Sequence, residues 1–131
     1  MRRSLLAVGL ALFWGCGSST SSSVSTVNLS GNYSGSITDS INGAGTIHFT
    51  LVQAASSITG TFESVYPAGT SSGAVSGTAN GLNVTATLTP SVPTLCPFNV
   101  VAIPSNFGEQ LEGTAVAFNC PAETAAFTVT R

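Results

Sequence analysis

The chain has 131 residues, of which only 6% are charged: three arginines, no lysine and five acidic residues, for a formal net charge of -2. Arg2 and Arg3 stand at the N-terminus, so the remainder of the chain has Arg131 as its single cation. So few cations cannot neutralise a phosphate backbone, which excludes nucleic-acid binding, and they offer no basic patch to an anionic lipid surface.

Arg2 and Arg3 precede an apolar run over 5–13 that only Gly9 interrupts, the layout of a secretory signal peptide. The run is too short to span a bilayer, which takes about 20 apolar residues. It ends in LFWGCGSST at 12–20. With Leu12 leading into Gly15-Cys16, this stretch resembles the lipobox of bacterial lipoproteins, although Phe13 and Trp14 depart from the aliphatic and small residues usual there. The resemblance implies lipid attachment at Cys16, cleavage just before it, and sorting to the outer membrane, because Gly17 rather than Asp follows. Ordinary secretion into the periplasm is the alternative. The following GSSTSSSVST is a Ser/Thr tract with nothing to bury, a flexible tether whose reach over about 14 residues is on the order of 20 Å. The expected organisation is a signal peptide at 1–15, a lipidated Cys16 with linker at 16–30, and one domain at 31–131.

Four segments share one pattern: YSGSI at 33–37, ITGTF at 58–62, VSGTA at 75–79 and LEGTA at 111–115. Along a strand the glycine lies on the same face as the residues two before and two after it, while Ser and Thr fill the other face. Their irregular spacing argues for a recurring strand type rather than a solenoid. Glycine at such positions relieves crowding on the inner face of a strongly curved sheet. No helix follows any of them, so they are not phosphate-binding loops. Alternation and turn residues predict eight strands, at 32–39, 45–53, 57–64, 73–79, 82–89, 97–104, 110–119 and 124–131.

Asn80-Gly81 is the strongest hairpin signal, and a two-residue turn there pairs Ala79 with Leu82, Gly77 with Val84 and Val75 with Ala86. At Asn42-Gly43 a two-residue turn would oppose Ile37 and His48. A three-residue loop with a bulge is expected instead, pairing Ile37 with Phe49 and Gly35 with Leu51. With Cys16 assigned to processing, Cys96 and Cys120 remain as an even pair, which in an exported chain predicts a disulfide. Neither has a neighbouring His or CxxC partner, so no metal site is expected. A hairpin folding near Gly108 would set Cys96 opposite Cys120, Phe98 opposite Phe118 and Val100 opposite Val116.

Eight meandering antiparallel strands predict an all-β fold, an up-and-down barrel without exposed edges, with a two-sheet β-sandwich as the alternative. With the lipobox and the linker, this pattern is similar to that of small lipocalin-like bacterial lipoproteins, a resemblance of form that matches no lipocalin-specific motif. A membrane-spanning barrel does not suit a second face made of Thr, Ser and Asn and a domain without Trp. The long connections at 64–73 and 89–97 follow the third and fifth strands. They therefore share the end away from the tether, and Tyr66, Pro67, Val92, Pro93 and Leu95 would surround any mouth.

Chemistry is sparse. His48, between Thr46 and Thr50 on the polar face, lacks an assured orienting partner, although Asp39 or Glu63 could approach it. Glu109 and Glu112 read as solvated turn residues, and no serine stands in a nucleophile elbow. No catalytic residue, metal or cofactor is expected. The inner face should include Tyr33, Ile37, Ile47, Phe49, Leu51, Ile58, Phe62, Leu82, Val84 and Leu88, and Gly35, Gly60, Gly77, Ala79 and Ala86 would leave room among them. The expected function is a lipid-anchored binding module for a small apolar ligand, contacted by Tyr33, Ile37, Phe49, Leu51, Phe62, Val84 and Leu88. The alternative is an interaction protein whose surface or distal loops contact another envelope component. A cavity of several hundred cubic ångströms would favour the first, and a packed interior the second.

Overall fold

The computed structural model describes residues 27–120 and 122–131. The expected signal peptide, Cys16 and most of the linker lie outside the described residues. The chain forms β1 (Gly31–Asp39), β2 (Gly43–Ala54), β3 (Ser57–Tyr66), β4 (Gly69–Asn80), β5 (Asn83–Pro90), β6 (Phe98–Ser105), β7 (Gln110–Ala117) and β8 (Thr124–Thr130). A 3-10 turn, Asn106–Gly108, links β6 to β7. Every strand pairs antiparallel with the next, and β8 returns to β1 from Ser34↔Thr130 to Asp39↔Ala125, which closes the barrel. The architecture is the up-and-down barrel rather than the sandwich, and closure leaves no strand edge free to recruit another chain.

The two-residue period decides what lies inside. Ile47, Phe49 and Leu51 of β2 are buried while Thr46, His48 and Thr50 face out. The same alternation runs through β8, where Ala125, Phe127 and Val129 point inward between exposed Thr124, Ala126, Thr128 and Thr130. Burying a Leu, Ile, Val or Phe side chain stabilises the fold by about 1.5–3 kcal/mol each, and this inner face supplies most of the driving force. Curvature depends on the repeated glycines. A Cβ at Gly35, Gly60 or Gly77 would run into the carbonyl oxygen of Thr128, Thr50 or Thr85 on the neighbouring strand. At Gly113 it would meet the Phe127 ring, 2.6 Å away.

Three registers differ from the sequence expectation. The β4–β5 turn is Gly81-Leu82, with Asn80 paired to Asn83 and Ala79 to Val84. Positive φ falls on Gly81 (60°) and not on Leu82, the pattern of a II′ turn. Leu82, expected on the inner face, is therefore an exposed turn residue. The β1–β2 loop does hold three residues, Ser40, Ile41 and Asn42, but Ile37 pairs with Gly45 and Tyr33 with Phe49. Both shifts are even-numbered, so the paired side chains keep their expected faces and Leu82 alone, moved into the turn, leaves its own.

The third shift is odd. Val100 pairs with Ala115 and Phe98 with Ala117, so Val116 faces out rather than meeting Val100. The LEGTA repeat decides this: with Leu111, Gly113 and Ala115 inward, Val116 must point outward. Cys96 and Cys120 are consequently not opposed within the ladder. They lie just past its end, their sulfurs at bonding distance and their Cα atoms 6.2 Å apart. The expected long connection at 64–73 is also mostly strand, since only Pro67 and Ala68 separate β3 from β4.

The proximal end, where β1 begins, is plugged. Leu29, assigned to the linker from composition, is fully buried and its N–H donates to Gln53 Oε1 at 2.7 Å. Ser30 Oγ accepts from the Gln53 N–H at 2.9 Å, and Val27 packs against the core. The segment before β1 thus folds under the barrel and closes its base.

Candidate functional site

The distal end carries the loops β1–β2, β3–β4, β5–β6 and β7–β8, and beneath them lies a cavity of about 90 Å³. Its inner wall is apolar, from Ile37, Ile47, Phe62, Leu88 and Phe98, and its outer part is polar, from Asp39, Ser64, Tyr66 and Glu123. Tyr66 and Leu95 reach it, as expected of a mouth between the long loops, whereas Pro67, Val92 and Pro93 do not. Barrel closure assembles the polar part, because β1 ends at Asp39 beside the chain that enters β8, and Glu123 comes from that entry.

Asp39 is 4% exposed yet satisfied. Its Oδ1 accepts from the backbone N–H of Ile41 at 2.8 Å and of Asn42 at 2.9 Å, which holds the three-residue loop. Asn42 Nδ2 donates both to Asp39 Oδ1 at 3.4 Å and to Glu123 Oε1 at 3.2 Å, bridging the two carboxyl groups. Burial, with the neighbouring Asp39 as a second cause, pushes the Glu123 carboxyl up to about 7. Tyr66 is pushed up to about 12, first by burial and then by the Asp39 charge. Near neutral pH the Glu123 carboxyl is therefore about half protonated, beside a phenol that keeps its proton. Among the described residues no group of three His, Cys, Asp or Glu stands together to hold a metal ion.

Tyr33, Ile37, Phe49, Leu51, Phe62, Val84 and Leu88, expected as ligand contacts, are all buried on the inner face. They pack mostly on one another, with Phe49 and Phe127 rings 5.3 Å apart at 57°. Only Ile37, Phe62 and Leu88 of the seven also border the distal cavity. The room expected above the inner glycines is taken: adjacent backbone fills it at Gly35, Gly60 and Gly77, and Phe127 fills it at Gly113. No protein-family model, curated protein or solved structure matches the chain.

His48 pairs across the ladder with Ser34 and Glu63 on the exposed outer wall, while Asp39 is buried at the distal end. Glu109 is not simply solvated, since it accepts from Arg131 Nη2 at 2.7 Å. Sequence reasoning missed the Asp39–Glu123 pair because its members are distant in the chain and share no motif. The one local signal was Asp39 itself, a turn-capping residue just before Asn42-Gly43.

Proposed function

We propose that this chain is a non-catalytic, lipid-anchored module of the bacterial cell envelope that acts through the distal end of a filled barrel. The observation that carries the reading is the packed interior. Tyr33, Leu29, Ile47, Ile58 and Val129 fill it almost without solvent contact, and the cavity beneath the distal loops is only about 90 Å³. Pockets for drug-sized ligands begin at about 300 Å³. The distal rim has the character of a contact surface, with Ile41, Val92 and Leu95 exposed around the Asp39–Glu123 pair. In this reading Cys16 carries the lipid at the outer membrane, the Ser/Thr tract spaces the barrel from the bilayer, and an envelope protein meets the distal loops.

The distal cavity favours one second reading, that a small amphipathic molecule enters between Tyr66 and Leu95 with its polar end at Glu123 and its apolar end against Phe62 and Leu88. Native mass spectrometry on the mature chain, extracted from its membrane, separates the two. A bare protein mass that includes the lipid on Cys16, together with discrete photo-crosslinks from Val92 and Leu95 but not from Thr61, supports the interaction module. A non-covalent added mass that persists through purification and vanishes on denaturation would instead establish the carrier, and a mass without lipid would remove the anchor.

A further inference from the structure

The proximal end exposes apolar side chains that the fold gives no reason to expose. Phe107 is 92% exposed and sits at φ 56°, between Asn106 at φ 50° and Gly108 at φ 87°. A bulky side chain in left-handed backbone is strained, and strain of this kind persists only where its surroundings impose it. Here they do. Tyr33 Oη donates to the Gly108 carbonyl at 2.6 Å, and Gly108 is packed under Val27 and Leu29. The Arg131 N–H donates to the Glu109 carbonyl at 2.8 Å, with the Arg131–Glu109 ion pair beside it. The loop is held on both sides of Phe107 while the ring projects into solvent.

The barrel places two more apolar residues near it. Leu82, 76% exposed, is at the tip of the adjacent proximal turn, and Ile103, 57% exposed, faces out on the strand between them. The register sets this sector: Val84 pairs with Ala102, so Ile103 lies level with the start of β5, immediately after Leu82. At this end the Glu109 charge is offset by Arg131, and Glu112 lies on the outer wall opposite Ile103. The other carboxylates, Asp39, Glu63 and Glu123, belong to the distal half. Val27, the first described residue, packs at the proximal end and is eleven positions from Cys16; a flexible chain of that length reaches on the order of 20 Å.

We infer that the proximal end is a membrane-docking face, in which Phe107, Leu82 and Ile103 enter the headgroup–acyl boundary of the bilayer that holds the anchor. This rests on the reading of Cys16 as the lipidated residue. A short tether keeps these residues near the surface, so apolar contacts too weak to bind the membrane alone become effectively intramolecular. Docking orients the barrel, turning the carboxylate-bearing distal end away from an anionic bilayer.

The test uses the full chain with Trp14→Phe and either Phe107→Trp or, as a distal control, Val92→Trp. Each protein is bound to vesicles of phosphatidylethanolamine and phosphatidylglycerol with plain or brominated acyl chains. Intact mass reports whether Cys16 carries lipid. Where it does not, the chain is held on the same vesicles by an N-terminal histidine tag on a nickel-chelating lipid, so failure of the anchor and failure of docking read separately. The expected result is that Phe107→Trp fluorescence shifts to the blue and loses most of its intensity on brominated vesicles, while Val92→Trp keeps both. Unquenched Phe107→Trp emission in vesicle-bound protein overturns the proposal. A blue shift that appears without vesicles and grows with protein concentration also overturns it, because a second copy would then cover the face.

Discussion

Tyr33, in the first strand, donates its phenol hydrogen to the carbonyl of Gly108 at 2.6 Å, across 75 positions of sequence. This bond ties the start of the barrel to the β6–β7 loop, and both partners are buried. Burial raises the Tyr33 phenol above its ordinary value, partly offset by the nearby Arg131 cation, whose guanidinium lies 5.6 Å from the ring centroid. Tyr33→Phe leaves the Gly108 carbonyl buried and unpaired, which costs about 2 kcal/mol. Urea denaturation should show a lower midpoint with an unchanged slope.

Cys96 and Cys120 bracket the β6–β7 hairpin at its distal end. Closing a loop of 24 positions restricts the unfolded chain, which by the loop-entropy estimate is worth about 3 kcal/mol. Cys96→Ser should therefore lower the melting temperature sharply under oxidising conditions and change little when both proteins are measured in reductant.

The carboxyl of Glu123 titrates at about 7 in the folded chain against 4.5 as its ordinary value, raised first by burial and then by Asp39. A carboxyl raised by folding binds its proton more tightly in the folded state, so its contribution to stability is greatest at low pH. Stability should decline as pH rises from about 4.5 to about 7 and level off above that. Glu123→Gln keeps the shape without the charge and should flatten this part of the profile, as followed by thermal unfolding across the range.

Gly35 and Gly43 separate two reasons for glycine. A side chain at Gly35 would collide with the Thr128 carbonyl, whereas Gly43 has nothing nearby but sits at φ 80°. Gly35→Ala forces two strands apart and should cost about 3 kcal/mol. Gly43→Ala should cost about 1 kcal/mol, the penalty for an L side chain in left-handed backbone. Chemical denaturation of both variants checks the ratio.

Phe107 gains nothing from the fold for the strain it bears. Phe107→Asn, which tolerates left-handed backbone, should raise stability by about 1 kcal/mol. If the proximal face docks on a bilayer, the same substitution should weaken retention on vesicles, so the more stable protein would be the less well docked one. Paired unfolding and vesicle-flotation measurements read both effects.

Strand positions and their inward faces were legible because a two-residue alternation is local: YSGSI or ITGTF declares its face without knowing its neighbours. Registers were legible only in part. Moving a hairpin by two residues preserves every face, so the local pattern could not distinguish Ala79 against Leu82 from Ala79 against Val84. For Val116 the local pattern did hold the answer, since LEGTA already sets its neighbours inward, but the assumption that the cysteines face each other within the ladder led away from it.

The candidate site was much less legible. Asp39 and Glu123 meet because β8 returns to β1, and Leu29 is buried because an open barrel end needs an apolar plug; neither follows from the residues around it. By itself the sequence determined an all-β chain of eight strands, an inner face, a cysteine pair and a surface nearly without cations, all properties of composition or short-range period. Only the tertiary structure decided that the interior is filled, that a carboxyl pair forms at one end, and that Phe107 and Leu82 are displayed at the other. Those outcomes depend on barrel closure and on the register of strands far apart in sequence, which are set by side-chain volume and curvature summed over the whole sheet.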